Sequence, residues 1–242
     1  MKKCEYVKMH LLEDSHFWFV GKRFFIKTYL DKITSKISTI LDIGSGTGGT
    51  TKLLEKYGKV IGIEKNSFAQ SLSKKRGLEV VKGKAEKLPF KKNSFDLVTI
   101  LDVLYHRDIK NINKVIKETS RVLKPKGFIL ITDSAFSFLQ GNHSSFVYEK
   151  RRFTVSELKK ILYKNGFITT NDSYVYFSIF PFVFLKRTII DLFFKSNKSD
   201  VSAFPKIVNL LLISILRLES LLLNYVKLPI GSSLIILGQK HE

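Results

Sequence analysis

The chemistry legible in this 242-residue chain begins with two carboxylates and a cluster of glycines. Asp42 precedes Gly44, Ser45, Gly46, Gly48 and Gly49 in the stretch LDIGSGTGG, and Glu64 closes the later run KVIGIE. Glycines this close together let a chain turn sharply and let a ligand reach bare backbone. A carboxylate at the next strand end can accept hydrogen bonds from the hydroxyls of a ribose. The spacing of Gly44, Gly46 and Gly49 also fits the phosphate-binding fingerprint of dinucleotide enzymes. Asp42 argues against that ligand, because a carboxylate beside the first glycine repels a pyrophosphate. Glu64 suits either.

A second set of residues could serve an acceptor. A general base should titrate near neutrality, which histidine does unperturbed. His106, in LDVLYHRD, follows an apolar run and should sit near the mouth of a site built on the glycines. His143 falls in a later loop that could close over it. These two are the catalytic candidates, and the plainer reading of each is a surface or packing residue. In the aromatic cluster HFWF, Phe17 and Phe19 read as core, and Trp18 as a wall of the acceptor pocket. Arg23 and Arg152 could hold a phosphate or carboxylate bidentately, whereas Arg151 reads as solvated charge. The single cysteine, Cys4, excludes an internal disulfide and a cysteine-based zinc site, and no metal is expected.

These residues need a scaffold. Short Ile-, Val- and Leu-rich runs (ISTILDIG, KVIGIE, LEVVKG, FDLVTIL, GFILITD) alternate with segments of helical spacing (TTKLLEKY, SFAQSLSKKR, NINKVIKETSRVLK). Strands alternating with helices predict an α/β fold, a parallel sheet covered on both faces. Ligands of such sheets bind outside the carboxyl ends of the strands, which is where the glycines fall. The expected organisation is one domain: an aromatic helical segment over 1–36, a cofactor-binding core over 37–135, and an acceptor-side lid with apolar helices and a final strand over 136–242. In the last part FTVSELKKILYKNGF reads as a helix with Thr154 and Glu157 as a capping box and Gly166 as its stop. TTNDSYVYFSIF reads as a strand and SSLIILGQK as the final one.

Two late segments raise a membrane question. Tyr174 to Leu185 is uncharged but well short of the roughly 20 residues a span needs, and Ile207 to Leu223 carries Asn209, Arg217 and Glu219. Neither reads as a transmembrane helix. The plain reading is a pair of packed helices; the sharper one is that their apolar faces rest on a membrane or cover a greasy substrate. The formal charge is +20, spread in the same proportion along both halves and mostly lysine. Without a basic cluster or an appended RNA-binding module, that charge argues against a nucleic-acid partner and leaves contact with anionic lipid open. The first residues show no long apolar core or small-residue cleavage site, so no signal peptide is expected. The expected location is the cytoplasm, with a peripheral position at the inner face of the membrane left open.

Taken as an ordered series, LDIGSGTG, VIGIE, GKAEKLPF, FDLVTILDVLYH and RVLKPKGFILI resemble the motifs of the class I S-adenosylmethionine-dependent methyltransferases. The resemblance covers about residues 37 to 134. It implies a Rossmann-like, seven-stranded, mostly parallel sheet with one antiparallel strand, and S-adenosyl-L-methionine as cofactor. The implied contacts are Asp42, Gly44, Ser45, Gly46, Glu64, Ala85, Glu86 and Asp102. Gly44 and Gly46 would face the methionine part, Glu64 the ribose hydroxyls, and Ala85 and Glu86 the adenine. Lys84 stands where the family often has an acid, and PKG at Pro125–Gly127 replaces the usual PGG. HFWFVGKR, KRRFTVSELKKILYKNGF and LESLLLNYVKLPIGSSLIILGQK resemble a subset associated with glycan or lipid-linked glycan assembly, although His143 is followed by Ser144 rather than the aspartate of that subset.

The reaction so implied is in-line transfer of a methyl group to a small-molecule, glycan or lipid-linked acceptor, in which the protein mainly supplies position and electrostatics. The rival readings are an RNA methyltransferase, a dehydrogenase, and a non-catalytic binding protein that keeps the fold.

Overall fold

The computed structural model describes residues 1–190 and 204–241, without the side chains of residues 142, 143, 189 and 190. The apolar runs become seven strands: β1 Thr39–Ile43, β2 Lys59–Glu64, β3 Val80–Lys82, β4 Phe95–Leu101, β5 Leu123–Ser134, β6 Phe167–Val175 and β7 Ser233–Lys240. They form one sheet in the order β3-β2-β1-β4-β5-β7-β6. β7 runs antiparallel to both neighbours, and the β1–β2, β1–β4, β2–β3 and β4–β5 pairs are parallel. This is the seven-stranded, mostly parallel sheet the motif series implied.

Strict alternation divides the core between the two faces. Leu41, Val98, Ile129 and Ile236 look one way, with Val115 and Ile116 of one helix and Leu158 and Leu162 of another packed over them. Ile40, Leu97, Leu130 and Ile235 look the other way, onto Phe25, Ile26, Tyr29 and Leu216. Each such side chain contributes about 1.5–3 kcal/mol by leaving water. The helices that supply these residues are α5 Ile112–Val122 and α7 Val155–Lys164 on the first face. On the second face they are α2 Phe17–Leu30 and a long late helix, Lys206–Leu222. Thr154 and Glu157 make the capping box of α7, and Gly166 follows at φ 84°.

The crossing of α2 with the Lys206–Leu222 helix fixes the wall above the sheet. Gly21 makes it possible, since a methyl group there would stand 2.5 Å from Leu216 Cδ1 and 3.2 Å from Leu216 Cβ. The polar residues of the late helix serve packing. Asn209 Oδ1 accepts from Phe17 N at 2.8 Å, and Asn209 Nδ2 donates to the Ser15 carbonyl at 2.9 Å. Glu219, buried, accepts from the amides of Phe177 and Ser178, both at 2.9 Å. Those bonds prime the short helix Phe180–Leu185. The segment expected to be a strand through Phe180 therefore leaves the sheet at Val175. Tyr176 adopts φ 60°, its ring stacks on Trp18 and its hydroxyl donates to the Trp18 carbonyl at 2.6 Å.

Three more helices shape the site: α1 Lys3–Leu12, α3 Gly49–Leu54 and α4 Ser67–Lys75. Arg76, after α4, bonds Glu13 at 2.8 Å and Asp14 at 2.9 Å, and Thr47 donates to Glu13 at 2.9 Å. The glycine loop is thereby tied to the end of α1. A short helix, α6 Asn142–Val147, follows β5. Phe180–Leu185 is α8 and Lys206–Leu222 is α9. Among the described residues no helix is long and apolar enough to cross a membrane.

Candidate functional site

In this strand order the chain leaves β1 toward β2 and then returns on its other side as β4, so a crevice opens at the carboxyl ends of β1 and β4. A cavity of about 1250 Å³ occupies it. Gly44 and Gly46 line it at φ 76° and 56°, the left-handed region that costs glycine nothing. The loop is pinned from below. Gly44 N donates to the Ile63 carbonyl at 2.7 Å, and Ser73 Oγ to the Gly46 carbonyl at 2.9 Å. Ser45 packs over Gly62 of β2. Asp42 is fully buried, and its two oxygens accept from Thr51 at 2.6 Å and Thr99 at 2.7 Å. Burial pushes its pKa up, against the pull of the two hydroxyls. Asp42 thus sets the strand end and the start of α3, with both oxygens already engaged.

Glu64 stands at the tip of β2 on the cavity wall, its carboxylate accepting from Gly46 N at 3.1 Å and Asn66 N at 2.8 Å. Ala85 and Glu86 line the same side, and Glu86 also accepts from the amides of Lys110 and Asn111, at 3.0 and 2.7 Å. Lys84 is exposed. Asp102, just past β4 at φ 57°, lines the cavity and is ion-paired with Lys22 of α2 at 2.7 Å; Thr132 donates to its other oxygen at 3.1 Å.

The acceptor-side candidates separate. Trp18 lines the cavity, half-buried; Phe17 and Phe19 are buried, Phe17 within the core above the sheet, and both also reach the cavity wall. Arg152 also reaches the wall, held by Glu149 at 3.1 Å and donating to the Ala135 carbonyl at 3.1 Å. Arg23 is not brought to the cavity: its guanidinium closes the α1–α2 turn through the carbonyls of Glu13 and Asp14, at 2.6 and 3.3 Å. His106 is on the wall with both ring nitrogens engaged. Nδ1 accepts from Asp108 N at 3.1 Å, and Nε2 lies 3.1 Å from the Met1 amino group. Burial first, and that amino group second, lower its pKa to about 4. The ring is neutral at physiological pH and a weak base. His143 belongs to helix α6 rather than to a loop, and its side chain lies outside the described residues.

Residues 41–131 match the family model described as "Methyltransferase domain". Over this stretch the chain is therefore similar to a methyltransferase domain, the match the motif series led to expect. Its cofactor is S-adenosyl-L-methionine. The demethylmenaquinone methyltransferase of Oceanobacillus iheyensis is 33% identical over 138 residues, 52% of this chain and 57% of that one. The ubiquinone/menaquinone biosynthesis C-methyltransferase of Pseudomonas aeruginosa is 32% identical over 149 residues, 57% of this chain and 54% of that one. The chain thus spans about half the length of these curated relatives. Among solved structures, a SAM-dependent methyltransferase from Thermotoga maritima superimposes with a TM-score of 0.61 at 19% identity, covering 98% of this chain and 95% of that one. Phosphoethanolamine N-methyltransferase 2 of Haemonchus contortus, solved with S-adenosyl-L-methionine, gives 0.58 at 19% identity, over 90% and 52% of the two chains. At these identities the likeness is one of fold.

The residues of the methyltransferase domain fit its cofactor. A methyl group built on Gly46 would meet only the Gly44 carbonyl and Met9 Cε, both 3.9 Å away, so there is open space above the loop backbone. A carboxylate offers about four acceptor positions; the two amides use two of Glu64's, which leaves capacity for ribose hydroxyls. Lys22, Tyr105, Asp133 and Glu149 escaped the sequence reading. Tyr105 and Glu149 line the cavity. Asp133 is fully buried at the end of β5 and accepts from Tyr105 N at 3.2 Å and Ser134 N at 2.8 Å, and burial drives its pKa far up. The signals were present. Lys22 is four residues past Trp18 on one helix face, and Asp133 ends its strand much as Asp42 nears the end of β1 and Asp102 follows β4. Only the assembled sheet shows that these carboxylates converge.

Proposed function

We propose that the chain transfers a methyl group from S-adenosyl-L-methionine to a small-molecule acceptor with an apolar body, the finer form of the reading being an acceptor with a lipid tail. The observation that carries it is the cavity's second half. Beyond the glycine loop its wall is built from Trp18, Ile179, Phe182, Val183, Val208 and Leu212. Its volume of about 1250 Å³ exceeds the roughly 300–1,000 Å³ of a pocket for one drug-sized ligand. The apolar wall supports a tail rather than a glycan as the recognised part. One relative is named for demethylmenaquinone and another for ubiquinone/menaquinone biosynthesis, which is consistent with an acceptor of this chemistry.

When bound, the cofactor supplies a methyl group activated on a sulfonium. The chain's own residues bind and orient. Gly44 and Gly46 offer backbone, and Glu64 offers acceptors. Lys22 holds the Asp102 carboxylate at the carboxyl end of β4, while Trp18 and α9 exclude water from the acceptor half. Rate enhancement by placement of two reactants needs no protein nucleophile. With His106 engaged through both nitrogens, an acceptor that needs little help in losing a proton fits best.

Two readouts test the reading. The protein is incubated with methyl-labelled cofactor and with small-molecule, lipid, glycan, RNA and protein fractions; label should appear in the lipid or small-molecule fraction. Trp18, the single tryptophan, should change fluorescence when that acceptor is titrated. Label confined to RNA or protein overturns the acceptor assignment. Binding of S-adenosylhomocysteine without turnover of any fraction leaves a binding protein.

A further inference from the structure

Helix α9 is apolar on both faces. At 100° per residue, Asn209, Leu212, Leu216, Glu219 and Leu223 point inward, and Leu216, Glu219 and Leu223 are buried. The opposite stripe would ordinarily be polar in a surface helix. Here it reads Ile207, Leu211, Ser214, Leu218 and Leu222, and the four apolar residues are 83%, 59%, 63% and 53% exposed. Phe182 of α8 is 74% exposed as well. A contiguous apolar surface of this kind marks a contact with another body.

Charge and continuity identify that body. Lys206 and Arg217 lie along one border of the stripe, both exposed, and among the described residues neither has a carboxylate partner. From Tyr176 to Ile190 and from Phe204 to Ser233 there are five lysines and arginines and one carboxylate, the buried Glu219. Phe182, Phe204 and Val208 are exposed and also line the cavity, so the patch is continuous with the acceptor half. An apolar face with a cationic border suits a helix lying in the plane of an anionic lipid surface. With 17 residues, α9 is too short to span.

We infer that α8 and α9 form a docking face for an anionic membrane surface, with the cavity opening through that face so that a lipid-tailed acceptor enters without crossing water. The second clause rests on the proposed acceptor; the docking itself does not, and it is measured without cofactor or acceptor.

The test is co-sedimentation of the full chain with phosphatidylcholine vesicles containing phosphatidylserine, compared with phosphatidylcholine alone. Wild type should bind the anionic vesicles and be partly released at high salt. Leu211→Asp and Leu218→Asp remove exposed apolar surface and should each weaken partition about ten-fold or more while leaving the melting temperature unchanged. Lys206→Ala should weaken it about five-fold. Failure of the wild type to bind at low salt overturns the inference. So does wild-type binding by both leucine variants, which would place the contact elsewhere on the basic surface. Concentration-dependent self-association abolished by the leucine variants, with no vesicle binding, would give the face to a second copy instead. A protein that docks yet methylates only water-soluble acceptors would refute the tail and keep the surface.

Discussion

Replacing Glu64 separates cofactor recognition from loop architecture. Its carboxylate is 9% exposed and accepts from Gly46 N at 3.1 Å and Asn66 N at 2.8 Å. In Glu64→Ala two losses occur. On the proposed role of Glu64 the ribose hydroxyls lose a charged acceptor, and a hydrogen bond to a charged group contributes about 1.5–3 kcal/mol. That corresponds to about a 10- to 150-fold rise in the Kd for S-adenosylhomocysteine. The Gly46 and Asn66 amides also lose their partner, but both lie at the cavity edge where water can replace it. The stability loss should therefore stay near the net value of an ordinary hydrogen bond, about 0.5–1.5 kcal/mol for each amide. Glu64→Gln keeps one acceptor oxygen and turns an NH2 toward the other amide, so it should fall between alanine and wild type in affinity. Calorimetric titration with S-adenosylhomocysteine and urea denaturation of the same samples measure the two losses independently. Wild-type affinity in a folded Glu64→Ala protein would remove Glu64 from the ligand's reach. Tight binding of a nicotinamide dinucleotide, with no response to S-adenosylhomocysteine, would overturn the reading of the glycine loop itself.

Two further outcomes follow from packing and protonation. His106 has its pKa lowered from the ordinary 6.5 to about 4, mainly by burial. Its folded value lies below its unfolded one, so the stability it confers as a neutral ring is complete above the unfolded value and is lost as pH falls through the window between the two. Urea midpoints across that window should fall less steeply in His106→Gln than in wild type, and parallel curves would show that the ring does not titrate as its burial implies. At the α2–α9 crossing, Gly21→Ala brings a methyl group to 2.5 Å from Leu216 Cδ1 and 3.2 Å from its Cβ. Overpacking costs about 1–3 kcal/mol against a helix-propensity gain of about 1 kcal/mol. The variant should be destabilised, and Leu216→Ala added to it should cost less than Leu216→Ala alone. Additive losses in urea denaturation would show that the crossing has room to shift.

Much of the donor half was legible because it depends on local rules. The apolar runs are strands because both faces of a central parallel sheet are buried, and the buried polar residues of β1, β4 and β5 (Asp42, Thr99, Thr132 and Asp133) all fall in the carboxyl-terminal halves of their strands. Gly44 and Gly46 announce left-handed backbone that no other residue adopts cheaply. Thr154, Glu157 and Gly166 mark the two ends of α7 by short-range hydrogen bonding. The acceptor half was less legible, because its residues act through partners far away in sequence. Arg23 carries the same guanidinium as Arg152, yet one closes a helix turn and the other lines the cavity. Asn209 and Glu219 read as interruptions of a membrane helix, and in the fold they anchor residues almost two hundred and about forty positions earlier.

The sequence by itself determined the sheet, the glycine loop and the carboxylates Asp42, Glu64 and Asp102, since periodicity, glycine spacing and chain order survive without knowledge of distant contacts. Tertiary structure alone decided which charges meet and which apolar faces stay open. Asp102 needed Lys22 brought across the sheet edge, Asp42 needed Thr51 and Thr99, and the exposed stripe of α9 became distinct from its buried one only when Leu216 settled over Gly21. The physical reason is that burial and ion pairing are properties of the packed arrangement. A leucine in water and a leucine in a core have the same sequence context, and only the neighbour that arrives from elsewhere in the chain tells them apart.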